Sequence, residues 1–109
     1  METVSSVRDM ENAVLSNTWA CIVFTRGNSA VGHAAVRRIS LMLRKFTDVP
    51  GFTLDLDNDP TGAGRYLIFE TPSVLVYYNG KPIIREIGSV TPARVFAAMQ
   101  DFHQAIDRG

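Results

Sequence analysis

One cysteine, Cys21, stands among 109 residues, so no disulfide can close within the chain and no dithiol can operate in it. A lone thiol also agrees with a reducing compartment. Charge of one sign is missing as well. Eleven basic and eleven acidic residues cancel, leaving no net field to draw the chain to nucleic acid or an anionic membrane. No apolar run approaches the roughly 20 residues that cross a bilayer. The N-terminal METVSSVRDMENAV has neither the basic flank nor the apolar block of a secretory signal. With no lipidation motif and no Asn-x-Ser/Thr acceptor, the expected compartment is cytoplasmic.

Metal and cofactor patterns are equally sparse. The histidines, His33 and His103, are isolated and do not make a zinc site with Cys21. Asp55, Asp57 and Asp59 look like the start of a calcium loop, but Pro60 and Tyr66 stand where glycine and glutamate are required. Gly62-Ala63-Gly64 is too short for a dinucleotide fingerprint. Arg37, Arg38 and Arg44 read as a solvated helix face. No cofactor is expected.

Without repeats, low-complexity tracts or linkers, residues 1–109 form a single domain with 46% hydrophobic content, enough to bury a core. Val7, Met10 and Val14 share one helical face, and Ser6 three residues before Asp9 is a capping signature. Trp19–Thr25, WACIVFT, suits a central strand buried on both sides. After Arg26-Gly27-Asn28, the stripe Ala35, Ile39, Met42, Leu43, Phe46 marks a second helix, stopped by Val49-Pro50-Gly51. Phe52, Leu54 and Leu56 alternate with polar residues as a strand does.

Asp59-Pro60 predicts an N-cap and first-turn proline for a short helix, weakened by Gly62 and Gly64. VLVYY and PIIREI flank Asn79-Gly80, the dipeptide of a tight hairpin, and Pro82 points to a sheet edge for the second strand. Thr91-Pro92 starts a last helix, with Val95, Met99, Phe102 and Ile106 as its expected buried face. The expected order is helix, strand, helix, strand, short helix, antiparallel hairpin, helix. Such alternation argues for an α/β fold with a mixed central sheet covered by helices on both faces.

That order, the DLDNDP junction at Asp55–Pro60, Thr71-Pro72, the Asn-Gly hairpin and Gly88 together resemble thioredoxin over residues 5–106. The resemblance implies a thioredoxin-like fold with a cis peptide between Thr71 and Pro72. It also implies a Cys-x-x-Cys motif where this chain has Ser29-Ala30-Val31-Gly32. Val23 stands in place of the family's buried acid, and Asn28 and Thr25 in place of its tryptophans. Thiol exchange needs a thiolate attacking a disulfide sulfur. A serine in that place forms no mixed disulfide.

Other chemistries find little support. Cys21 reads as a small hydrophobe in a strand. Ser29 and His33, four apart, could join Glu70 in a hydrolytic set, but an N-cap at Asn28 or Ser29 and an exposed helical histidine explain them more simply. The resemblance implies that Thr71 pairs its backbone with an extended partner segment, with Gly27, Asn28, Ser29, Ala30 and Gly32 opposite and Pro72 beneath. Strand addition of this kind needs no cysteine. The expected function is a non-catalytic protein-binding module of chaperone or adaptor type, its partner a protein or extended peptide. The alternatives are a redox protein using Cys21 or a partner's cysteine, and a self-associating homo-oligomer, which exposed aromatics at Phe69, Tyr77 or Tyr78 would favour.

Overall fold

Trp19–Thr25 is apolar on both sides of its pleat, and in the computed structural model it lies where that composition demands, in the middle of a sheet. Residues 1–108 are described. In chain order they form β1 (Glu2–Val4), α1 (Val7–Leu15), β2 (Trp19–Thr25), α2 (Ala30–Leu43), β3 (Gly51–Asp55), α3 (Thr61–Arg65), β4 (Ser73–Tyr78), β5 (Lys81–Ile87) and α4 (Pro92–Arg108). The strands are ordered β1-β3-β2-β4-β5. β1, β3 and β2 are parallel, β4 is antiparallel to β2, and β5 is antiparallel to β4.

Alternation along β2 divides the core. Ala20, Ile22 and Phe24 face α1, where Val7, Met10 and Val14 meet them together with Leu75 and Tyr77 of β4. Cys21 and Val23 face the other way, toward Ile39 and Met42 of α2 and Val95 and Met99 of α4. The hairpin turns through Asn79 (φ 51°) and Gly80 (φ 78°), the positive-φ pair that its sequence favours. Ser6 caps α1 by accepting the Asp9 N–H at 3.1 Å.

Three local expectations need correction. β1 was not anticipated: it is three residues long, and only Val4 is buried. Its pairing with Phe52–Leu54 of β3 makes it a strand. Asp59 does more than cap the short helix. One oxygen accepts from the Thr61 hydroxyl at 2.5 Å and the Thr61 N–H at 3.3 Å, while the other accepts the Val7 N–H at 2.8 Å. The Thr61 hydroxyl and the Val7 N–H hold its carboxyl below the usual range. The cap position of α3 itself falls on Pro60, without a side-chain bond.

In α4, Phe102 and Ile106 are each 36% exposed, so Val95 and Met99 alone carry its buried face. Neighbouring His103 stacks on Trp19, the first residue of β2, with ring centroids 4.1 Å apart. The last turns of the helix therefore run past the end of the sheet.

Candidate functional site

The loop from β2 to α2 is shaped by a carboxylate from β3. Asp55 Oδ1 accepts the Gly27 N–H at 3.0 Å and the Asp57 N–H at 2.8 Å. Gly27 sits at φ +63°, where a side chain would be strained. Arg26 pairs with Asp57 at 3.2 Å across the outside of the loop. Ser29 then caps α2, its Oγ accepting the Gly32 N–H at 2.9 Å. A Cβ on Gly32 would come within 2.9 Å of that Oγ, so the absence of a side chain keeps the cap close.

Opposite lies the loop that precedes β4. The Thr71–Pro72 peptide is cis and Pro72 is buried. Fully buried Ser73 ties the loop to the end of β5: its hydroxyl donates to the Glu70 carbonyl at 2.6 Å and accepts the Gly88 N–H at 3.0 Å. Gly88 has φ +76°, and a Cβ there would lie 2.7 Å from the Glu70 Cβ. Thr71 itself uses neither its N–H nor its C=O in a hydrogen bond among the described residues.

Between these loops, Ala30, Val31 and Arg38 of α2, Pro72, and Val90 before α4 line a groove of about 460 Å³. Val31 is 67% exposed there. A smaller cleft of about 330 Å³, formed by Arg26, Phe69 and Thr71, opens beside the same loop. Of the expected residues, then, Ala30 and Pro72 meet in the groove, and Thr71 borders the neighbouring cleft. Asn28 is exposed, while Gly27, Ser29 and Gly32 set backbone geometry. Val31, Arg38 and Val90 line the groove in addition to the expected residues. The available signal was Val31, an apolar residue outside the buried stripe of α2.

Cys21 is wholly buried, and burial pushes its thiol up to about 12, so it is protonated near neutrality. Val23 is buried and carries no proton to transfer. No hydrogen bond joins the side chains of Ser29, His33 and Glu70 among the described residues. Ser29 Oγ is engaged by the cap, and His33 is exposed. No cluster of three or more His, Cys, Asp or Glu side chains suited to a metal occurs among the described residues. Arg38 has no ion-pair partner among them, whereas Arg26 does. The site offers backbone groups, apolar walls and a free guanidinium.

This architecture is that of thioredoxin. Mitochondrial thioredoxin 3 of Saccharomyces cerevisiae, in its oxidised form, superposes with a TM-score of 0.80 over 93% of this chain and 94% of its own, at 17% identity. Thioredoxin of Trypanosoma brucei brucei gives 0.81 over 94% and 89%, at 19% identity. In sequence, the thioredoxin-like protein YdfQ of Bacillus subtilis is 24% identical over 86 residues, 79% of this chain and 77% of that protein. No family model matches. The chain is thus thioredoxin-like in fold, and it lacks the Cys-x-x-Cys pair. No described helix is long and apolar enough to cross a membrane.

Proposed function

We propose that this chain is a non-catalytic protein-binding module of chaperone or adaptor type, which takes an extended segment of a partner protein against the Thr71–Pro72 loop in a cytoplasmic setting. The observation that carries the reading is Thr71. Its N–H and C=O are unused among the described residues, beside an apolar groove in which the helix start presents no thiol. Backbone pairing supplies affinity in such strand addition, and the side-chain pockets beside it supply selectivity. Val31 and Val90 give the groove its apolar contact, and Arg38 its single free charge.

A reduced, unfolded client protein tests this directly. Aggregation of the client is expected to be suppressed by the wild-type chain and weakly or not at all by Val31→Asp. Equal suppression by both would move the binding surface elsewhere. In an insulin-reduction assay, turnover above a no-protein control would defeat the non-catalytic reading in favour of redox work with a partner's cysteine. Self-association is a second reading, favoured by Phe69, which is 79% exposed; Tyr77 is buried and Tyr78 is partly covered. Light scattering that finds a monomer would remove it.

A further inference from the structure

A larger concavity lies on the α1/α3 side of the sheet. There α3 is only five residues long and leaves the β4–β5 hairpin partly uncovered. The groove holds about 630 Å³, within the roughly 300–1,000 Å³ of small-molecule sites. Leu75 and Tyr77 form its floor, with Val14 and Leu15 on one wall and Pro82 on the other. The register pairs Leu75 with Arg85 and Tyr77 with Pro82, so the groove has a charged end and an apolar end along the same hairpin.

The charged end has donors to spare. The Arg85 guanidinium reaches across to the end of α3, donating to the carbonyls of Tyr66 at 2.7 Å and Leu67 at 2.6 Å. Glu11 Oε2 accepts from the Tyr66 hydroxyl and pairs with Arg65 at 3.1 Å. Those acceptors are therefore occupied. Each guanidinium has five N–H groups, more than these bonds use. The Tyr77 hydroxyl has no hydrogen-bond partner among the described residues, and burial, then Glu11, pushes it up to about 12, so it remains a donor. Two guanidinium charges face one carboxylate. At the other end Leu15 is 78% exposed beside Val14 and Pro82, an apolar surface left to water.

We infer that this groove binds a small amphipathic carboxylate, its apolar body lying over Leu75 and Tyr77 toward Leu15 and its carboxylate meeting Arg65 and Arg85. An anionic head satisfies the surplus donors, and the tail covers the apolar end. A cationic head would face two guanidinium groups, and a neutral one would leave the one positive charge that Glu11 does not balance unmatched. The site lies on the opposite side of the sheet from the Pro72 groove and does not depend on the role assigned there.

Titration with a dansyl-labelled undecanoic acid tests this, with unlabelled competitors of equal chain length bearing a carboxylate, an alcohol or a quaternary ammonium. Saturable binding is expected, with the carboxylate competing about tenfold better than either other head. Arg65→Ala and Leu15→Asp, both at exposed positions, are each expected to weaken binding about tenfold. Arg37→Ala, which removes an equal charge from α2, should leave it unchanged. Absence of saturation, equal competition by the alcohol, or equal loss in Arg37→Ala would overturn the assignment. So would a dimer in light scattering that dissociates in Leu15→Asp, because a second copy would then fill the groove.

Discussion

On one face of the sheet, α2 and α4, 14 and 17 residues long, bury Cys21, Val23, Val74 and Val76 completely. On the other, α1 and α3 have 9 and 5 residues; they cover Ile22 and Phe24 but leave the hairpin end open. Helix length accounts for the difference. α3 contains two glycines, poor helix formers, and stops where Leu67 adopts φ 56°. Yet Gly62 fits its place: a Cβ there would lie 3.0 Å from Leu56 and 3.1 Å from Val7. Gly62 therefore permits the close approach of α3 to the core and, with Gly64, weakens the helix that limits its reach along the sheet.

Substitutions can break that contrast. Ile39→Ala, on the covered face, should cost about 2–5 kcal/mol by urea denaturation, since a fully buried side chain leaves a cavity. A cost below ~1 kcal/mol would mean that this face is loosely packed. Cys21→Ser should cost about 1–3 kcal/mol by placing a hydroxyl among apolar side chains; Cys21→Ala in parallel separates polarity from volume.

pH probes both faces together. Burial raises Cys21 from 9.0 to about 12, and burial with Glu11 raises Tyr77 from 10.0 to about 12. The unfolded chain therefore loses these protons first. Their stabilising contribution is complete below the unfolded values and disappears as pH rises toward 12. Urea midpoints should fall through that window, and Cys21→Ala should flatten the fall; an unchanged slope would refute the buried thiol as its source. Ser29→Ala should cost about 1 kcal/mol in the same titration, as loss of an N-cap does. The smallest change is expected at the groove rim, where Leu15→Ala should stay within about 0.5 kcal/mol.

Much of this architecture is legible in local patterns. WACIVFT reads as a doubly buried strand because both of its sides are apolar, and Asn79-Gly80 as a hairpin because the turn needs positive φ. Glu2–Val4 carries too little signal, since a three-residue strand exists only through its neighbour β3. The helical period in α4 shows which side faces inward, but not where the sheet beneath it ends; hence Phe102 and Ile106 are expected inside and found at the surface. At the candidate site, the residue types of the Ser29–Gly32 turn and the Thr71–Pro72 loop are plain, while the apolar wall made by Val31 and Val90 is not. Those residues are neighbours only after α2 and the loop before α4 have packed.

Composition and spacing suffice to exclude a dithiol, to place an N-cap at Asn28 or Ser29 and to lay out the order of elements from α1 onward, because each depends on composition or on residues close together in the chain. Three-dimensional packing alone assigns Asp59 to the Val7 N–H, 52 positions away, and buries the one thiol completely. It also opens a groove on each side of the sheet. Hydrogen bonds and cavities of that kind depend on which distant surfaces meet and how far each helix extends over the strands, and no local period encodes either.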